Sequence, residues 1–208
     1  MTTISLHVET LDTSDAALQR GMRLIDQQEK IRATSFRFAR DAAHFIARRA
    51  RLREILSAYV ADAPEHLSFA SGPYGKPVLA DGGLHFSLSH SHGLIMLAIG
   101  PVEIGCDIER IDPDLEWPPL AERLFSRLER RQLLALAEAP ARRAFFDCWT
   151  RKEAYVKALG LGLSHPLDTF DVSIGREARP HEQAGWIISD VAPANGYAGA
   201  VVTRSIIA

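Results

Sequence analysis

Apolar and polar positions alternate at the start of the chain and take up helical spacing soon after. Ile4, Leu6 and Val8 recur every second residue and predict a strand over residues 3–9. Helical spacing then predicts helices over about residues 13–32 and 41–60. A Gly/Pro turn at 71–77 leads into strands over 84–89 and 93–100, and residues 102–111 read as a further strand. Residues 112–119 form a proline-rich loop. Helices follow over about residues 118–125, 127–138 and 141–160, with Ser126 as N-cap of the middle one. Strand patterns return at 169–174, 185–191 and 197–205, the last two joined by a turn at Pro193–Gly196. Each half thus runs helices and then an antiparallel hairpin, and the halves divide near Pro101-Val102 with no flexible linker between them.

Composition narrows the class. The chain has 208 residues, 47% hydrophobic and 24% charged, as a globular protein does. The net charge of −2 speaks against nucleic-acid binding by bulk electrostatics. Cys106 and Cys148 are the two cysteines, both in apolar patterns, and they suggest neither a disulfide framework nor a zinc site. No segment approaches the roughly 18 apolar residues of a membrane span. The N-terminus carries acids and no basic leader, so a reducing, cytoplasmic setting is expected.

Two stretches carry chemistry. On the strand over 102–111, Ile104, Cys106 and Ile108 share a core-directed face, while Glu103, Gly105, Asp107 and Glu109 share the other. Gly105 is expected to leave space beside Asp107. Close carboxylates repel unless a proton or a cation lies between them. A hard divalent ion takes carboxylate, phosphate and water oxygens together. Alone, an Asp-x-Glu strand is common and reads as a solvated face.

On the helix over 141–160, Phe145, Cys148, Trp149, Val156 and Leu159 form an apolar stripe. Glu153 and Lys157 share a face, and Gly160 and Gly162 close the helix. Alone, this is an amphipathic helix with a surface ion pair. Taken together, the stretches supply three carboxylates and the ammonium groups of Lys152 and Lys157. That set suits a divalent cation holding a phosphate-bearing substrate. A metal-dependent nuclease uses similar groups, but the acidic loop at 112–116 opposes a nucleic-acid groove. A non-catalytic nucleotide-binding module would be natural if one of the three acids were missing, and none is.

Charge is unevenly placed. Residues 20–53 hold ten Lys or Arg and three Asp or Glu, with Arg48, Arg49, Arg51 and Arg53 on one helix. Such a face is either solvated or binds an anion, which arginine does with a planar fork of donors.

Four motifs stand in a fixed order. They are Gly72-Pro73-Tyr74-Gly75-Lys76-Pro77, Phe86-Ser87-Leu88-Ser89-His90-Ser91, Gly105-Cys106-Asp107-Ile108-Glu109, and Phe146 to Ala154 continued by Lys157 to Leu163. In these the chain resembles the 4′-phosphopantetheinyl transferases of the Sfp type, over most of its length. Cys106 departs from the aliphatic residue usual there; a buried cysteine is itself a small hydrophobe.

The resemblance implies an α+β pseudo-dimer of two similar α+β subdomains with the active site in the cleft between them. Residues 1–101 would contact the coenzyme A nucleotide, and residues 102–208 would carry the metal site and catalytic helix. The reaction implied moves 4′-phosphopantetheine from coenzyme A to a serine of an apo carrier protein, releasing adenosine 3′,5′-bisphosphate. By the same resemblance Asp107, Glu109 and Glu153 hold Mg²⁺, with Mn²⁺ as the alternative ion. Glu153 is the general base, and Lys157 pairs with a phosphate oxygen. Arg48, with Arg40 behind it, grips the 3′-phosphate. Ser89 and His90 meet the coenzyme A phosphates, and Lys76 meets the adenine nucleotide. Lys152 is a lesser helper, because it points about 100° away from Glu153 on a helix. A monomer, with no nucleic-acid or membrane partner, completes the expectation.

Overall fold

The computed structural model describes residues 3–162, 165–175, 181–183 and 185–205. Leu163, the last residue of the helical motif, lies outside them. The first half runs β1 (Ser5–Thr10), α1 (Asp15–Leu24), α2 (Gln27–Thr34), α3 (Ala39–Val60), β2 (Phe69–Ser71), β3 (Pro77–Leu79), β4 (His85–Ser91) and β5 (Leu94–Gly100). The second runs β6 (Ile104–Arg110), α4 (Trp117–Leu124), α5 (Arg127–Leu134), α6 (Glu138–Leu159), β7 (His181–Gln183), β8 (Trp186–Val191) and β9 (Tyr197–Arg204). The class is α+β. Among the described residues all strand ladders are antiparallel, in sheets ordered β1-β5-β4, β2-β3 and β6-β9-β8-β7.

The two halves repeat one plan: a strand, two short helices, a 22-residue helix, and a hairpin whose last strand pairs with the first. The repeat extends to side chains. Asp26 and Glu29 form a capping box at the start of α2, and Ser126 and Glu129 form one at the start of α5. Each box closes on a fully buried cation from its long helix. Arg53 binds Glu29 at 2.8 Å and the carbonyls of Pro64 and Leu67. Lys152 binds Glu129 at 2.8 Å and the carbonyls of Leu167 and Phe170. An aromatic face lies under each: Phe69 under Arg53 and Phe170 under Lys152.

Two expectations change. The helix expected over 13–32 is two helices, because the Asp26 carboxylate accepts from the Glu29 amide and starts a new helix. The strand expected over 169–174 does not form. Its backbone groups are satisfied by buried side chains instead of a neighbouring strand. Lys152 takes the Phe170 carbonyl, Arg151 takes those of Val172 and Ser173, and Glu129 takes the Val172 amide.

Sheets β1-β5-β4 and β6-β9-β8-β7 meet along β4 and β6. Ile104, Cys106 and Ile108 pack with Met96 and Ala98 beneath that seam, as the alternation of β6 requires. On the seam itself serine hydroxyls replace backbone carbonyls as acceptors. Ser87 Oγ accepts from Cys106 N at 3.0 Å, Ser89 Oγ from Ile108 N at 3.4 Å, and Ser91 Oγ from Arg110 N at 3.0 Å. The constant spacing of these pairs means that β4 and β6 run parallel.

Candidate active site

Helix α6 lies directly on β6. A Cβ at Gly105 would stand 2.0 Å from the Ala154 carbonyl oxygen and 2.4 Å from the Ala158 nitrogen, so only glycine permits the contact. The space expected beside Asp107 is therefore filled by helix backbone. Ala154, Ala158, Ala198 and Ala200 keep the rest of this contact shallow. The close approach brings the Glu153 and Lys157 face of α6 over the acids of β6.

Lys157 Nζ donates to Asp107 Oδ1 at 2.6 Å and to Ser89 Oγ at 3.1 Å. Ser89 Oγ donates to the same carboxylate oxygen at 2.7 Å. Ser91 Oγ donates to Glu109 Oε2 at 2.8 Å. Asp107 Oδ2 is buried and has no hydrogen-bond partner among the described residues. An unpaired buried carboxylate oxygen is costly, so it points to a further cation or donor.

The acids feel one another. Burial pushes Glu109 up to about 7, and the negative charge of Asp107 adds to the push. Burial, then Asp107, raises Glu153 as well. Burial alone would lower Lys157, but the charge of Asp107 and its neighbours outweighs it, and the ammonium is held above its ordinary value.

The N-terminal half contains a counterpart in which the charges are settled internally. Counted along matching ladders, Glu9 of β1 stands where Glu109 stands on β6. Glu54 follows Arg53 on α3 as Glu153 follows Lys152 on α6. There Arg51 bridges the two acids, holding Glu9 at 2.6 and 2.8 Å and Glu54 at 3.0 Å. The place of Arg51 is taken on α6 by Thr150, fully buried, whose hydroxyl donates to the Asp147 carbonyl. The C-terminal site thus has one more acid than its twin and lacks the bridging guanidinium. With Asp107 Oδ2 unpartnered, the oxygen donor set fits a hard divalent cation. Among the described residues, no group of three or more His, Cys, Asp or Glu side chains is drawn together tightly enough to hold a metal as it stands. Asp107 commits one oxygen to Lys157 instead of leaving both to a metal.

The remaining predicted residues surround this centre unequally. His90 follows Ser89 on β4 and lines an open cavity of about 650 Å³ with Arg40, Asp41, His44, Ser91 and His92. Its imidazole is held down to about 4, first by partial removal from water, then by the positive charges of Arg48, Lys157 and His44. Arg48 is half-buried on α3, and burial, then Arg49, lowers it. Arg40 stands at the rim, its side chain 83% exposed and 3.6 Å from Asp41. Lys76 Nζ donates to the Ile104 carbonyl at 2.7 Å, and burial lowers its pKa. Lys76 and Lys157 share a cavity of about 230 Å³ with Tyr74, Gly160 and Gly162. A more apolar cavity of about 470 Å³ adjoins it past Tyr74 and Lys76.

Lys152 is not part of the site, contrary to its expected role as a phosphate helper. Its ammonium is sealed between Glu129, two carbonyls and the Phe125 and Phe170 rings. Ser91 was not anticipated as a contact of the acids. The signal for it lies in the sequence: serines at 87, 89 and 91 share one strand face, as Asp107 and Glu109 share another.

The chain is α+β, with acids and a lysine converging between a strand and a helix beside cavities lined in part by basic residues. The profile described as the 4′-phosphopantetheinyl transferase superfamily matches residues 103–202, and that described as 4′-phosphopantetheinyl transferase, N-terminal, matches residues 10–101. The chain is 32% identical to 4′-phosphopantetheinyl transferase HetI of Nostoc sp. (strain PCC 7120), over 92% of this chain and 83% of that protein. It is 29% identical to 4′-phosphopantetheinyl transferase psf-1 of Bacillus pumilus, over 98% and 90%. It is 31% identical to 4′-phosphopantetheinyl transferase Sfp of Bacillus subtilis (strain 168), over 77% and 71%. The chain belongs to the 4′-phosphopantetheinyl transferase superfamily.

Proposed function

We propose that this chain transfers 4′-phosphopantetheine from coenzyme A to a serine of an apo carrier protein. The observation that carries the reading is the convergence of Asp107, Glu109, Glu153 and Lys157 at the contact of β6 with α6. Residues 1–101 supply the nucleotide contacts and residues 102–208 the acids and the catalytic helix. Asp107, Glu109 and Glu153 would hold Mg²⁺, or Mn²⁺ in its stead. Such an ion, when bound, neutralises pyrophosphate charge as the phosphoryl group transfers.

The chain's own groups do the rest. Arg48, with Arg40 at the rim, holds the 3′-phosphate, and His90, which lines a cavity with Arg40 and feels the charge of Arg48, meets a coenzyme A phosphate. Lys76 and the turn before it face the adenine nucleotide. Glu153, raised by burial toward the working pH, takes the proton from the carrier serine hydroxyl, directly or through one water. The serine oxygen bonds to the β-phosphorus while the bond to the bridging oxygen breaks. Lys157 offsets the charge that collects on the departing bisphosphate. Ser89 keeps Lys157 and Asp107 in register.

Among the described residues no helix is long and apolar enough to cross a membrane. The reading places the enzyme in the cytoplasm, as a monomer, with coenzyme A and an apo carrier protein as its partners. Nucleic acid is not among them. Coenzyme A, Mg²⁺ and an apo carrier protein incubated with the chain should give a carrier mass increased by one phosphopantetheine. Asp107→Ala should cut that turnover by a factor on the order of 10² or more, since a metal supplies several kcal/mol of charge stabilisation. Unchanged turnover in Asp107→Ala at saturating Mg²⁺ would remove the assignment.

A further inference from the structure

The three serines of β4 form a matched set. Ser87, Ser89 and Ser91 face β6, all three are buried, and each Oγ accepts a backbone N–H from that strand. They differ in what else they do. Ser87 borders the cavity of Lys76 and Lys157, its carbonyl takes the Cys106 thiol at 2.9 Å, and no carboxylate meets its hydroxyl among the described residues. Ser91 accepts from Arg110 N at 3.0 Å and donates to Glu109 Oε2 at 2.8 Å, with His92 Nδ1 3.4 Å away. A hydroxyl has one proton to give. With the Arg110 amide filling one lone-pair direction, that proton is aimed at the carboxylate. The strand that fixes Ser91 is itself fixed to β5 along its whole length, with Ser91 opposite Leu94.

Glu109 needs such a hold more than most carboxylates do. It lies near the end of β6, beside the exposed Arg110, and its neighbours Asp107 and Glu153 carry the same charge. Without a donor it is free to swing away from them. We propose that Ser91 is the positioning residue for Glu109: it sets the carboxylate's orientation toward Asp107 and Glu153, and so the affinity of the acidic centre for a divalent ion. Ser91 borders the open cavity beside His90, but its hydroxyl is committed to Arg110 N and Glu109. On the acidic centre it acts through Glu109, as outer hydrogen-bond partners of metal-ligating carboxylates do. The proposal rests on the reading of Asp107, Glu109 and Glu153 as a cation site.

Ser87 supplies the internal control, because it makes the same bond to the seam without the bond to an acid. Mn²⁺ alone is titrated into wild type, Ser87→Ala, Ser91→Ala and Ser91→Thr, and free Mn²⁺ is counted by electron paramagnetic resonance. Circular dichroism and melting temperature are recorded on the same samples. Both alanine variants should melt lower than wild type, since each loses one seam bond. Ser91→Ala should also bind Mn²⁺ about 10-fold more weakly, the low end of what such an outer partner contributes. Ser87→Ala should bind it as wild type does, and Ser91→Thr, which keeps the hydroxyl, should stay close to wild type. Equal Mn²⁺ affinity in the folded Ser87→Ala and Ser91→Ala proteins overturns the proposal and leaves the cation site standing. A wild type that binds no Mn²⁺ overturns the cation site, and the proposal falls with it. Should Ser91→Ala not fold, Ser91→Cys tests the same point: a thiol of similar shape donates weakly, so an affinity equal to that of Ser91→Thr overturns the proposal.

Discussion

Arg53 and Lys152 occupy the same place in the two halves of the molecule. Each is wholly buried on a 22-residue helix, each closes on the glutamate of a capping box, and each holds two carbonyls of the segment that returns from that helix. The correspondence assigns Lys152 to the architecture of the second half, although it stands next to Glu153 in the chain. Adjacent helical residues face different ways, so one serves the core while the other serves the site.

Lys152→Ala should therefore act on stability. Removing one partner of a buried ion pair leaves Glu129 uncompensated and costs about 3–5 kcal/mol. Denaturant unfolding should register that loss, and Glu129→Gln added to Lys152→Met should recover part of it. Coenzyme A affinity of the folded fraction should not change. A tenfold weaker coenzyme A affinity at full stability would return Lys152 to the phosphate site.

Arg48→Ala separates gripping from chemistry. Dephospho-coenzyme A lacks the 3′-phosphate, so the variant should raise the Michaelis constant for coenzyme A and leave that for the dephospho form nearly unchanged. The expected loss is that of one charged hydrogen bond, about 1.5–3 kcal/mol. Equal damage to both substrates would make Arg48 structural and move the 3′-phosphate to another basic residue. Arg40, at the rim with its side chain 83% exposed, should show a smaller effect in the same comparison.

His90 makes a prediction about pH. Its folded pKa of about 4 lies below the ordinary 6.5, so between these values the unfolded chain binds the proton that the folded chain refuses. The contribution is absent above pH 6.5, grows as pH falls, and is a full penalty to folding below about 4. His90→Gln removes it. The melting temperature of wild type should fall further than that of His90→Gln between pH 6.5 and 4, with the two converging above that window. Coenzyme A should narrow the gap, because an anion beside the imidazole favours its protonated form. Parallel melting curves across the window would show that His90 is not held neutral.

Much of this site was legible in the residues themselves. Alternation on β6 placed Ile104, Cys106 and Ile108 inward and Asp107 and Glu109 on the other face. The four-residue spacing of Glu153 and Lys157 put both on one helix face, but Gly105 reads as open space beside Asp107, and only the structure shows α6 resting there. Ser126 was legible as an N-cap, though its capping box with Glu129 appears only in the structure. Asp26 forms one too, but the sequence does not show it as a cap, because apolar spacing continues through it and periodicity alone cannot tell a continuous helix from two in line. The stretch at 169–174 alternates like a strand, yet the partners of its backbone are the side chains of Glu129, Arg151 and Lys152. Such partners come from elements distant in sequence, which no local pattern reveals. For the same reason helical geometry could say that Lys152 points away from Glu153, but not that Glu129 waits there.

Glu153 and Lys157 share a helix face and a set of neighbours, and their proposed roles divide cleanly. Glu153→Gln keeps size and hydrogen bonding while removing the negative charge and the basicity. It should abolish most turnover and leave coenzyme A binding measurable, since less negative charge then opposes the pyrophosphate. Lys157→Ala removes the ammonium that now holds Asp107 at 2.6 Å and Ser89 at 3.1 Å. It should weaken coenzyme A binding and turnover together, because its charge meets phosphate in the ground state and the transition state alike. It should also raise the pKa of the acids around it, since Lys157 lowers both Glu109 and Glu153. A surface ion pair would behave differently: each change would shift stability by roughly 0.2–0.5 kcal/mol and leave catalysis intact. Steady-state kinetics and coenzyme A calorimetry on the two variants decide between these outcomes. Two fully active variants with slightly lowered melting points would reduce α6 to a scaffold and move the chemistry elsewhere.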